Sequence, residues 1–160
     1  MEDVVDLIKH AIENEVRAKA FYASASELAT EGESQMVFLE LVDMEKGHAQ
    51  LLVDRFGGFL GEHGVDAAAH LAELEARVER SLEAEEVALL EDAEMGPVVE
   101  FAIRMEESAR DNYLTLAKRF SDADLIDISR DLAAEEQNHF DMLSRLRSSM
   151  DTPSEERPGL

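Results

Sequence analysis

Glutamate occupies core-seam positions of this chain four times, at two matched registers of an internal repeat. Displacing the sequence by 91 residues lays Ala11 on Ala102, Ile12 on Ile103, Glu15 on Glu106, Ala18 on Ala109 and Tyr22 on Tyr113. Without a slip, the same displacement lays Leu41 on Leu132, Glu45 on Glu136, His48 on His139 and Leu52 on Leu143. The matched stretches span two helical segments and the turn between them, so the chain reads as two copies of one helical hairpin.

Residues spaced by three and four mark the inward seam of a bundle helix. The first helix offers Val4, Ile8, Ala11, Glu15, Ala18, Tyr22, Ala25 and Ala29, and the second Phe38, Leu41, Glu45, His48 and Leu52. The third offers Val99, Ala102, Glu106, Ala109, Tyr113, Leu116 and Phe120, and the fourth Leu125, Ser129, Leu132, Glu136, His139, Leu143 and Leu146. No segment alternates with period two, so an all-α fold is expected. Breaks are expected near Thr30 to Ser34, Gly57 to Gly64, Gly96-Pro97 and Ser121-Asp122, with Pro97 opening a helix and Asp122 capping one. Four long helices follow, at about 2–30, 34–58, 97–120 and 122–149. A partly helical crossover at about 61–95 lets the second and third run parallel.

In an antiparallel hairpin, residues equally far from the turn lie level. Glu15 and Glu45 are centred on Thr30, and Glu106 and Glu136 on Ser121, which places all four carboxylates in one layer about 22 Å from the turns. Four ionised carboxylates in an apolar core each cost several kcal/mol and repel one another. No Lys or Arg occupies the seams, whereas two divalent cations would balance the four charges. Glu and His at i and i+3 share a helix face, and the chain offers this pair twice, at Glu45-Lys-Gly-His48 and Glu136-Gln-Asn-His139. Mixed carboxylate and imidazole ligation suits iron or manganese better than magnesium or calcium, with zinc an alternative in isolated protein. The expected metal ligands are therefore Glu15, Glu45, His48, Glu106, Glu136 and His139, around two iron ions bridged by the glutamates of helices one and three.

Composition narrows the remaining chemistry. Fifteen Lys and Arg against 37 Asp and Glu give a formal charge of −22, which repels nucleic acid and anionic membrane and attracts cations. No cysteine is present, so disulfides, thiolate catalysis and iron–sulfur clusters are excluded. The acidic start Met1-Glu-Asp-Val-Val-Asp6 is unlike a secretory signal, and a cytoplasmic protein without membrane spans is expected. One domain over 1–150 is expected, with a polar, disordered tail over 151–160. Tyr22 and Tyr113 lie seven residues beyond Glu15 and Glu106 on the same stripe. They read either as core aromatics needing a hydroxyl partner or as groups that hydrogen-bond ligand carboxylates or guard against stray oxidants. His10, His63 and His70 are expected at the surface, and the acidic runs Glu83 to Glu86 and Glu91 to Glu94 as a solvated face of the crossover.

The motifs Ala11-Ile-Glu-Asn-Glu15-Val-Arg-Ala-Lys-Ala-Phe-Tyr22, Glu45-Lys-Gly-His48, Ala102-Ile-Arg-Met-Glu106-Glu-Ser-Ala-Arg-Asp-Asn-Tyr113 and Glu136-Gln-Asn-His139 together resemble the rubrerythrin branch of the ferritin-like superfamily. The resemblance covers about residues 2–149. It implies a ferritin-like four-helix bundle of two hairpins and a long crossover, with a di-iron carboxylate centre that reacts with hydrogen peroxide or oxygen, often in a homodimer. Two features depart from it. Typical rubrerythrins feed electrons from a cysteine-ligated rubredoxin domain, so this cysteine-free chain calls for an external electron donor. They also carry a further glutamate three residues after the helix-three ligand, where this chain has Ala109. A di-iron oxidoreductase of peroxidase type is the first expectation, a ferroxidase or iron-handling protein the second, and an acidic helical scaffold the third.

Overall fold

The computed structural model describes residues 3–29, 32–80, 84–92 and 94–151. Six helices run in the order α1 (Val4–Leu28), α2 (Gly32–Glu62), α3 (Ala67–Arg80), α4 (Ala84–Asp92), α5 (Met95–Arg119) and α6 (Ala123–Met150). Among the described residues there is no strand, and no helix is long and apolar enough to cross a membrane.

Helices α1 and α2 form one hairpin and α5 and α6 the other; α1 also lies beside α5, and α2 beside α6. Tyr22 meets Glu106 while Tyr113 meets Glu15, so α1 and α5 run antiparallel. His48 meets Glu136 while His139 meets Glu45, and α2 and α6 are antiparallel too. It follows that α2 and α5 are parallel, as a long crossover requires. Every seam residue of the four long helices is buried or half-buried, and the seams form two apolar clusters. One holds Ile8, Ile12, Leu52, Phe56, Leu116 and Leu132, and the other Phe21, Phe38, Leu41, Val99, Leu143 and Leu146.

Two expected breaks move. Helix α2 does not stop at Gly57 but runs through Gly58 and Gly61 to Glu62. It ends at Gly64, whose φ of +79° a side chain would resist. Val65 donates its amide to Leu60 O at 2.9 Å and Gly64 to Gly61 O at 3.1 Å, the paired bonds of a Schellman end, and half-buried Val65 packs on the core. The other shift is at α5, which begins at Met95, so Pro97 is its third residue; a missing amide hydrogen costs nothing anywhere in a first turn. Asp122 caps α6 as expected, its Oδ1 accepting from the amides of Asp124 at 2.9 Å and Leu125 at 3.1 Å. Of the crossover, α3 packs on α1 and α2 through Leu71, Leu74 and Val78, and α4 spans α1 and α5. The expected turn at Thr30, parts of the crossover (81–83 and 93) and the expected tail from 152 onward lie outside the described residues.

Candidate metal centre

Each long helix delivers one glutamate to the layer between the two apolar clusters. Glu15, Glu45, Glu106 and Glu136 are at most 2% exposed, and His48 and His139 are also buried. The six residues expected from sequence therefore meet. Their ligand atoms form two sets, each within 4.8 Å: Glu15, Glu45, His48 and Glu136, and Glu45, Glu106, Glu136 and His139. Each hairpin supplies two glutamates and a histidine to its own set and borrows one glutamate from the other hairpin.

The shared carboxylates are Glu45 and Glu136, from the helices that carry the histidines. Sequence pointed to bridging by the glutamates of helices one and three; in the structure Glu45 and Glu136 belong to both sets, and Glu15 and Glu106 to one each. The antiparallel approach of α2 and α6 explains this. It brings Nδ1 of His48 to 3.1 Å from Glu136 and Nδ1 of His139 to 3.0 Å from Glu45, so the two Glu-x-x-His faces interlock. The imidazole rings stack with centroids 5.3 Å apart and planes 11° from parallel.

Both tyrosines reach carboxylates, and both cross between hairpins. Tyr22 of α1 donates its hydroxyl to Glu106 Oε1 at 2.6 Å, and Tyr113 of α5 donates to Glu15 Oε1. Burial, reinforced by the Glu106 and Glu15 charges respectively, pushes each phenol well above its usual pKa, so both stay protonated donors.

Burial and the charges within the layer set the protonation of its members in opposite directions. Burial and the Glu15 charge push Glu45 well above the carboxylate range, and the same causes bring Glu136 to about 9. Burial would also raise Glu15, but the adjoining Glu45 and His48 groups outweigh it and bring it to about 2; Glu106 is likewise lowered against burial, by Glu136 and His139. Burial opposes charge on the histidines, yet the Glu136 and Glu15 carboxylates beside it raise His48 to about 11, and the Glu106 and Glu136 carboxylates beside it raise His139 to about 9. Two anions, two neutral acids and two imidazolium ions sum to zero. Four carboxylates, two neutral imidazoles and two divalent cations also sum to zero, so four protons stand in for two metal ions.

The donor set fits those ions. Glu15 Oε2, Glu45 Oε1, Glu136 Oε2 and His139 Nδ1 are buried without any hydrogen-bond partner. His139 Nδ1 lies 3.0 Å from Glu45 Oε1 but misaligned for a hydrogen bond. Orphaned donor atoms converging on one layer are costly unless a cation accepts them. Buried Glu and His groups here can hold metal ions.

A cavity of about 430 Å³ reaches this layer along the α1–α5 groove, lined by all four ligand glutamates, by Ala18 and Ala109, and by Glu13 and Glu86. The repeat-related alanines open it, since larger side chains on those faces would fill the groove. Glu86 on α4 is only 5% exposed, which corrects the expectation that its acidic run is simply solvated; Glu91 and Glu94 are exposed as expected. His10 and His63 are exposed, whereas His70 is half-buried, and burial followed by the nearby Lys9 charge lowers its pKa. Sequence reasoning missed Glu135, whose Oε2 meets His48 Nε2; its only sequence signal was adjacency to Glu136.

No protein-family model matches the chain, and no curated protein matches it. Among solved structures it is similar to a two-domain protein from Anabaena variabilis containing DJ-1/ThiJ/PfpI-like and ferritin-like domains, with a TM-score of 0.71 at 15% identity. That match covers 98% of this chain and 42% of the other, so this chain spans about two fifths of its neighbour's length. The likeness, with the all-helical hairpin arrangement, establishes a ferritin-like bundle.

Proposed function

We propose that this chain is a non-haem di-iron carboxylate protein of rubrerythrin type that reduces hydrogen peroxide, or oxygen, with electrons from an external donor. The observation that carries the reading is the pair of repeat-related ligand sets, each with three carboxylates and one imidazole, sharing Glu45 and Glu136. Such donors suit iron or manganese. Two ferrous ions, when bound, supply the two electrons that convert hydrogen peroxide and two protons into two water molecules.

The chain's own residues do the rest. Glu45 and Glu136 belong to both positions and set their spacing; Glu15 and Glu106 complete one each. Tyr113 and Tyr22 hold these last two carboxylates by one oxygen and leave the other turned to the layer. The cavity between Ala18 and Ala109 admits a molecule the size of peroxide, and the apolar clusters on either side exclude bulk water. With a methyl group at Ala109, no extra carboxylate is available there to exchange with the ligands. A single domain acting as a homodimer in the cytoplasm belongs to the same proposal.

A ferroxidase is the second reading, favoured by the charge of −22, which draws cations toward the protein. Anaerobic ferrous loading followed by stopped-flow mixing with peroxide or oxygen separates them. Two irons retained through turnover, with much faster oxidation by peroxide, support the first reading. Fast oxygen consumption with iron release supports the second, and failure to bind any divalent transition metal refutes both.

A further inference from the structure

The two histidines present Nδ1 to the carboxylate layer, so each ring is held from behind, if at all, by its Nε2. Behind His48 stands Glu135 of α6, whose Oε2 meets Nε2 across the α2–α6 interface. Behind His139 the arrangement differs: among the described residues no hydrogen bond reaches its Nε2. The repeat supplies the reason. Displacement by 91 residues carries Met44 onto Glu135, so the pair answering Glu135 and His48 is Met44 and His139. A thioether is a weak acceptor, and Met44 packs against the apolar cluster of Phe38 and Leu41. Glu135, by contrast, keeps its carboxylate 52% exposed and well solvated.

We infer that Glu135 is a positioning residue that makes the two repeat-related metal positions unequal. The position formed by Glu15, Glu45, His48 and Glu136 takes a divalent transition metal first and releases it last. The position formed by Glu45, Glu106, Glu136 and His139 fills second. This rests on the two-metal reading above. A carboxylate accepting the Nε2 proton keeps the Nδ1 lone pair on the metal side, fixes the ring and raises its basicity, and loss of such a partner typically costs about 10- to 100-fold in metal affinity. Repulsion between two cations would give stepwise filling even in a symmetric centre, so the assignment must come from variants rather than from the existence of two steps.

The test is anaerobic titration of the metal-free full chain with Co²⁺, followed by visible absorption and calorimetry. His139→Ala leaves the first position intact and His48→Ala the second. Co²⁺ is expected to bind His139→Ala about tenfold or more tightly than His48→Ala. Glu135→Gln should weaken binding by about the same factor in the His139→Ala background and leave the His48→Ala background unchanged. Met44→Glu asks the question from the other side, and in the His48→Ala background it should tighten Co²⁺ binding and shift the cobalt bands. Because Glu135 is half in solvent, the thermal midpoint of metal-free Glu135→Gln should match that of its parent. Equal affinities in the two histidine variants, or indifference to both Glu135→Gln and Met44→Glu, would overturn the inference while the two-metal reading stands. A wild-type chain that binds no Co²⁺ would instead refute that reading.

Discussion

Hairpin α1–α2 and hairpin α5–α6 carry the same glutamates, histidine and tyrosine at the same register around the layer but present different outer faces. The first lies under α3, which packs on both of its helices; among the described residues α3 does not reach the second. Val16 is 5% exposed and belongs to the cluster that includes Leu71 and Leu74, and Ala20 packs beside it. Their repeat counterparts are Glu107 and Asp111, both exposed. The Glu, His and Tyr positions that face the layer agree between the hairpins, whereas Val16 and Ala20 differ from Glu107 and Asp111 in step with the cover that α3 provides. Duplication preserved the centre, and the crossover broke the symmetry around it.

The largest effect should come from breaking what the hairpins share. Glu45→Ala or Glu136→Ala removes a carboxylate common to both ligand sets, and metal analysis after ferrous loading should find both ions lost. Glu15→Ala and Glu106→Ala should each retain one ion, since each belongs to a single set. Equal loss in all four variants would show that the sets are not divided as the structure divides them.

Exchanging the outer faces comes next. Val16→Glu puts a carboxylate beneath α3, where an unpaired buried charge costs several kcal/mol. Glu107→Val, on the uncovered hairpin, should change stability by no more than about 0.5 kcal/mol. Urea unfolding of the two variants measures the contrast, and similar midpoints would mean that α3 contributes little to the fold.

The proton balance predicts a pH dependence of opposite sign in the metal-free and metal-bound states. Glu136 is raised from 4.5 to about 9, His139 from 6.5 to about 9 and His48 from 6.5 to about 11. The folded site holds these protons more tightly than the unfolded chain. Their stabilisation is complete below the unfolded values and is lost as pH rises through the folded ones. Metal-free protein should therefore lose stability between about pH 5 and 9, by up to about 1.4 kcal/mol per pH unit for each extra proton held. Glu15, lowered to about 2, acts the other way: its contribution is present above pH 4.5 and fades only toward about pH 2. Metal binding displaces the held protons, so affinity should rise with pH over the same interval, with proton release measurable by pH-stat.

The smallest effect concerns the crossed tyrosines. Tyr22→Phe and Tyr113→Phe each remove a hydroxyl donor to a buried carboxylate, worth about 1.5–3 kcal/mol. Thermal unfolding of the metal-free variants should show nearly equal losses, and a marked inequality would place one tyrosine outside the repeat symmetry.

Much of this was legible before folding because it is local. Helix period decides which residues share a face, and the distance to a turn decides which lie level. The positions of Glu15, Glu45, His48, Glu106, Glu136 and His139, the all-helical hairpins and the cap at Asp122 are therefore written in spacing alone. The end of α2 was harder to read: Gly57, Gly58, Gly61 and Gly64 all permit a stop, and only packing of Val65 on the core selects the last.

Tertiary structure decided what depends on how helices distant in sequence approach one another. Antiparallel α2 and α6 made Glu45 and Glu136 the carboxylates common to both sets, and antiparallel α1 and α5 sent each tyrosine to the other hairpin's glutamate. The same approach set Glu135 behind His48 and left Met44 at the matching place, while α4, laid across the α1–α5 groove, buried Glu86 beside the cavity. Spacing along one helix carries no information about the distance to another, which is why the sequence could name the six residues that meet in this layer but not how they divide into two sets.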